Sequence, residues 1–115
     1  MPHFIIECNK EVITKVDGKT FVRQVFDLAL ASGLFSKSDI KVRLKVYDES
    51  IVAGEEYDFI HVWGFIREGR SDDLKQQLSE TIATKLKGLF NEAFVVTTNI
   101  QELDENSYFK IQYEK

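Results

Sequence analysis

Two stretches of this 115-residue sequence hold side chains or backbone groups that could do chemistry. The first is the opening run Met1-Pro2-His3-Phe4-Ile5-Ile6-Glu7, in which the only proline follows the initial methionine. With Met1 removed, Pro2 is a free secondary amine that can take and return a proton. With Met1 retained, its nitrogen is an amide and can do neither. A plainer reading stands beside this one: proline suits the start of a strand, where the missing N–H costs nothing. The second stretch is Glu68-Gly69-Arg70-Ser71, where Arg70 directly precedes Ser71, a candidate helix N-cap. A guanidinium and the free N–H groups of a helix start converge there and attract anions. Lys41, Arg43 and Lys45 add cations at every second position, hence on one face of a strand. Lys19 stands before Thr20 as Arg70 stands before Ser71. For each of these cations a solvated surface charge is the competing reading.

The remaining reactive types point to packing. His61 lies among Phe59, Trp63 and Phe65 and reads as a core or interface histidine, and the lone Cys8 as a small buried hydrophobe. His3, beside Pro2, is open to a role or to strand packing. Two histidines and one cysteine, without paired-cysteine or H-E-x-x-H spacing, exclude the usual zinc sites. Neither a glycine-rich phosphate loop nor a nucleophile elbow is present. A net charge of −4 argues against a nucleic-acid binder. No apolar run approaches the roughly 18 residues of a membrane span. With no signal peptide and no possible internal disulfide, the expected setting is cytoplasmic.

The elements that must position these residues follow from periodicity. Residues 3–8 are apolar and β-prone, a strand that carries Pro2 into the body of the fold. Asn9 to Lys19 is polar and reads as a loop. Thr20 is the expected N-cap of a first helix, with Phe21, Val25, Leu28 and Ser32 at helical spacing and Gly33 as its stop. Ile40, Val42, Leu44 and Val46 alternate with the three cations, a strand with one apolar and one cationic face. Glu56 to Arg67 is apolar on both faces, with Tyr57, Phe59, His61, Trp63 and Phe65 pointing one way and Ile60, Val62 and Ile66 the other, as in a central strand. Ser71 caps a second helix carrying Leu74, Leu78, Ile82, Leu86 and Leu89. Phe94 to Leu103 and Tyr108 to Tyr113 complete the strands.

The expected architecture is α+β: one domain, 1–115, of two β-α-β halves, about 1–55 and 56–115. A sheet of four to five strands carries two helices on one face. The shared pattern of Asp17-Gly18-Lys19-Thr20 and Glu68-Gly69-Arg70-Ser71, each ahead of its helix, hints at duplication. Two helices cover only one face of such a sheet, so the aromatic face of 57–65 calls for another subunit or for loops that cover it.

The opening Pro2-His3-Phe4-Ile5-Ile6-Glu7-Cys8 resembles that of 5-carboxymethyl-2-hydroxymuconate isomerases. The run Ile66-Arg67-Glu68-Gly69-Arg70-Ser71-Asp72-Asp73 is similar to the strand-loop-helix of 4-oxalocrotonate tautomerases, and both families belong to the tautomerase superfamily. Ala31-Ser32-Gly33-Leu34-Phe35 and Ile40-Lys41-Val42-Arg43 are similar to the isomerase as well, so the resemblance covers most of the chain. It implies a duplicated β-α-β fold, a homotrimer and a cofactor-free isomerase. Its base is the amino-terminal proline, matched by Pro2, and its arginines hold substrate carboxylates. Arg70 matches the arginine of the Gly-Arg-Ser loop and Arg43 one of the second strand. Lys41 stands where the isomerase is expected to have arginine, keeping the charge but losing the bidentate fork.

The implied substrate is a small unsaturated dicarboxylic oxo or enol acid, 5-carboxymethyl-2-hydroxymuconate in aromatic catabolism first among them. Two alternatives stay open: a tautomerase of another enol acid, and a non-enzymatic oligomeric binding protein on the same scaffold, which a retained Met1 would favour. Isomerisation needs a base that also returns the proton. Burial and nearby cations both disfavour a protonated amine, and a depression of about two pKa units corresponds to about 2.7 kcal/mol.

Overall fold

Strand β1 (His3–Asn9) buries Phe4, Ile6 and Cys8 completely and leaves His3, Ile5 and Glu7 half-exposed on its other face. The computed structural model describes residues 1–114. After β1 come α1 (Lys10–Lys15), α2 (Gly18–Ala31), a 3-10 turn (Lys37–Asp39), β2 (Lys41–Tyr47), β3 (Phe59–Arg67), α3 (Asp72–Leu89) and β4 (Val95–Leu103). The sheet order is β2-β1-β3-β4. β1 pairs with β2 in parallel and β3 with β4 in parallel, while β1 and β3 meet antiparallel at the centre. Each parallel pair is joined through a helix, so two β-α-β units share one sheet.

Helix α2 turns Phe21, Val25 and Ala29, and α3 turns Leu78, Ile82 and Leu86, onto the face of the sheet that carries Phe4, Ile6, Ile60 and Val62. This is the core. The opposite face, with Ile5, Glu7, Phe59, His61, Trp63 and Phe65, has no helix over it and remains half-exposed. Trp63 stacks on Phe65 at 6.3 Å and meets the His61 ring edge-on at 4.5 Å. The fold is the expected α+β arrangement, with two central strands rather than one.

Several local expectations are corrected. Lys10–Lys15 is a helix, not a loop, because Val12 is fully buried and Val16, four residues on, packs beside the core. The N-cap of α2 is Asp17, three residues before Thr20: its carboxylate accepts the Lys19 N–H at 3.1 Å, and an aspartate caps as well as a threonine. Lys19 therefore lies inside the first turn. The two similar tetrads are then not equivalent, since Gly18 is helical whereas Gly69 has φ of 101°, a left-handed turn that glycine permits. β3 starts at Phe59, and Tyr57 lies outside it, stacked on Phe94 at 4.4 Å.

Tyr108 to Tyr113 forms no strand. The segment pairs with no strand of the sheet and is held by polar contacts to His3 and Asp39. Phe109, Ile111 and Tyr113 remain at least 80% exposed. None of the described helices is long and apolar enough to cross a membrane.

Gly64 lies in β3 facing the core, where an added Cβ would stand 2.5 Å from Ile100 Cδ1 and 3.0 Å from the buried Phe4 ring. Gly64→Ala is therefore expected to destabilise by about 1–3 kcal/mol. That is a fall in Tm of roughly 4–20 °C for a domain of this size, measured by calorimetry. An unchanged Tm would show that Phe4 is free to move.

Candidate active site

The register of the sheet decides what meets Pro2. β1 and β2 are parallel with His3 opposite Lys41, so the start of β2 lies beside the start of β1, and the Lys41 N–H donates to the Pro2 carbonyl at 3.1 Å. β1 and β3 are antiparallel with His3 opposite Phe65, so the chain leaving β3 through Arg67 to Arg70 arrives at the same end. Ser71 then caps α3, its hydroxyl accepting the Leu74 N–H at 3.2 Å. Pro2 itself is buried, and its nitrogen is in peptide linkage with Met1.

Met1 reaches into a cleft of about 430 Å³. Leu34 and Phe35, from the turn after α2, form one wall with Arg70, and Tyr108, Phe109 and Lys110 form another. Arg70 Nη2 donates to the Leu34 carbonyl at 2.8 Å, and the guanidinium lies 5.8 Å from the centre of the Phe35 ring. It is half-buried rather than free, which fixes its position but leaves several N–H groups for a ligand. The Lys41 ammonium donates to the Asp39 carbonyl at 2.9 Å. Lys110 pairs with the Asp39 carboxylate at 2.7 Å, tying the C-terminal segment to the turn before β2.

The field at this spot favours neutral amines. Burial first, then the Lys41 charge, lower the pKa of the Met1 amine, with Lys110 acting in the same direction and Asp39 against it. His3 is also lowered, by burial, then Lys41 and Arg43. The hydrogen bond from Lys110 holds the Asp39 carboxyl low.

Arg70 lines the cleft that Met1 enters, and Lys41, bonded to the Pro2 carbonyl, acts on the Met1 amine, but neither Pro2 nor Lys41 lines the cleft itself. Arg43 is close by but turned onto the uncovered face, with Nη1 3.3 Å from His3 Nδ1, and does not line the cleft. Lys19 lines a separate groove of about 1150 Å³ between α2 and β2, which Lys41 also borders. Lys45 lies 5.3 Å from the Tyr47 ring. Cys8 is fully buried, its thiol pushed up to about 11 by burial and then by Asp58. His61 has one ring nitrogen 2.6 Å from the Thr97 hydroxyl and the other buried without a partner. Sequence reasoning missed Asp39, Arg67, Tyr108 and Lys110 around the cleft, since no local motif marks them and only the fold brings them together.

This fold, a duplicated β-α-β sheet with a proline at the head of a central strand, is that of the tautomerases. The family model described as 5-carboxymethyl-2-hydroxymuconate isomerase matches residues 2–112, and the chain belongs to that family of isomerases. It is 27% identical to the 5-carboxymethyl-2-hydroxymuconate Delta-isomerase of Escherichia coli, over 96% of this chain and 93% of that protein. The crystal structure of a 5-carboxymethyl-2-hydroxymuconate isomerase from Deinococcus radiodurans R1 superposes with a TM-score of 0.82 at 19% identity, covering 97% of this chain and 90% of that one. A fused 4-OT protein described as a wild-type symmetric trimer superposes with a TM-score of 0.75 at 15% identity, covering 90% and 87%.

Because burial lowers both histidines, their neutral forms belong to the folded state. The stability they contribute is full above the unfolded value of about 6.5 and is lost as pH falls from there through the lower folded values. An NMR titration of the folded protein should give midpoints below 6.5 for His3 and His61, and a midpoint above it for either would contradict its burial.

Proposed function

We propose that the chain, with Met1 removed, is a cofactor-independent isomerase of an unsaturated dicarboxylic oxo or enol acid, 5-carboxymethyl-2-hydroxymuconate in aromatic catabolism being the favoured substrate. What supports this reading is that Arg70 lines the cleft that Met1 enters, while Lys41, bonded to the Pro2 carbonyl, acts on the Met1 amine at the same end of β1. Pro2 is the general base, taking a proton from the enol oxygen or from one carbon and returning it to another carbon. Burial and the Lys41 charge lower the pKa of the Met1 amine, against Asp39, and an amine freed at Pro2 would lie beside the same groups.

Arg70 holds one carboxylate, with its guanidinium already oriented by the Leu34 carbonyl and the Phe35 ring. Lys41 supplies a point charge beside the base, and Arg43 adds to the field that stabilises the dienolate. A homotrimer accounts for the uncovered aromatic face, and the symmetric trimer of the 4-OT relative supports that number. The alternative, a binding protein without proline chemistry, is favoured by the position of Met1, which closes the Pro2 nitrogen and fills part of the cleft.

Intact mass of the protein from its native source separates the two: loss of one methionine fits the isomerase, and full retention fits the binding protein. Isomerisation of an enol dicarboxylate, followed by ultraviolet absorbance, should fall in Pro2→Ala relative to the processed parent, with some activity left to the primary amine. An unchanged kcat/KM would rule out Pro2 as the base. Arg70→Ala should lose about 30- to 150-fold in kcat/KM, and Arg70→Lys should recover part of it. Light scattering at micromolar concentration should give three times the chain mass, and a stable monomer would remove the trimer.

A further inference from the structure

The C-terminal segment carries a hydroxyl whose polarity the surrounding groups dictate. Tyr108 lines the cleft with Met1 and Arg70, and its hydroxyl oxygen lies 3.0 Å from His3 Nε2. On the other side of the same ring, His3 Nδ1 lies 3.3 Å from Arg43 Nη1. A guanidinium has only donors, so Nδ1 must accept from it. A neutral imidazole that accepts at Nδ1 carries its hydrogen on Nε2, which then donates to the Tyr108 oxygen. The tyrosine hydrogen is left over, with no other protein acceptor among the described residues. Burial and the neighbouring cations keep His3 neutral, as this chain of bonds requires.

We propose that Tyr108 is a third substrate-binding residue, donating its hydroxyl hydrogen to the oxo or enolate oxygen of the substrate, with His3 and Arg43 as positioning residues that aim it. This rests on the isomerase reading and deepens it. Arg70 takes a carboxylate, Pro2 moves the proton, and Tyr108 meets the oxygen on which negative charge develops. The arrangement gives Arg43 a role through His3 rather than direct contact with a carboxylate. The Lys110–Asp39 ion pair at 2.7 Å holds the segment that presents the tyrosine.

The test uses processed protein and two probes, 2-oxoadipate, which has an oxo oxygen, and adipate, which lacks it. By calorimetry, the wild type should bind 2-oxoadipate more tightly, and Tyr108→Phe should remove that preference while leaving adipate affinity within about twofold. In turnover, Tyr108→Phe should lower kcat by about 10- to 100-fold, the range for one hydrogen bond to a charged oxygen. Tm should not change, since Tyr108 lies outside the core.

Nitrogen-15 NMR of the His3 ring should show the hydrogen on Nε2 in the wild type and a redistribution towards Nδ1 in Arg43→Met. A merely structural Arg43 would not produce that shift. Unaltered probe binding in Tyr108→Phe, or a wild-type His3 with its hydrogen on Nδ1, overturns the assignment. Absent turnover with the binding preference intact would instead sink the Pro2 reading and leave the tyrosine contact standing.

Discussion

The hydrogen bond from the Lys41 N–H to the Pro2 carbonyl is the contact on which the rest of the site depends. It is the first rung of the parallel ladder between β1 and β2, and it fixes how far into the sheet the chain start is drawn. A shift by one residue would turn Phe4, Ile6 and Cys8 out of the core, so the burial of those three side chains enforces the rung. The same core therefore sets both the stability of β1 and the distance between Pro2 and the cations of β2. Antiparallel pairing with β3 then delivers Arg70 to the same end without a specialised loop.

The duplicated architecture offers two equivalent strand starts, but only one is electrostatically suited to an anionic ligand. The start of β3 lies at the opposite end of the sheet, where the buried Asn9 side chain accepts the Phe59 N–H at 3.0 Å and donates to Asp58 and Glu11. Asp48, Glu49 and Glu56 border a concavity beside Asn9. That end is acidic, and no proline precedes Phe59. Pseudo-symmetry in the backbone thus coexists with different charge at its two ends.

Much of this was legible in the sequence wherever one face is buried and the other is not. The alternation through 40–46 gave β2 its cationic face, and Leu78, Ile82 and Leu86 gave α3 its buried stripe. Ser71 was readable as a cap because its hydroxyl serves a purely local bond. The likeness of the two Gly-containing tetrads misled, since local composition does not distinguish a capping aspartate followed by a helical glycine from a left-handed glycine two residues before a cap. The segment Tyr108 to Tyr113, after the turn at Asp104-Glu105-Asn106, reads as a last strand in the sequence. Its failure to pair is tertiary information. The same applies to Arg43: its face was readable, but its acceptor on His3 lies forty residues away.

In the proposed isomerase a reactive amine near a chain start looks unfavourable, because chain ends fray and a loose base loses the benefit of a fixed approach to its substrate. Here the strand that carries it is central, hydrogen-bonded to β2 on one side and β3 on the other, so its first residue is held nearly as firmly as its middle. Pro2 adds a restricted φ to that anchoring. The ordering entropy is met once, in folding, and need not be met again when substrate arrives. The other wall of the cleft, the Tyr108 to Lys110 segment, is attached by polar contacts while Phe109 and Ile111 remain exposed. In that proposed reaction, a base held by two strand pairings would face a wall tethered by polar contacts, so that the reacting atoms are positioned by the sheet rather than by the chain end.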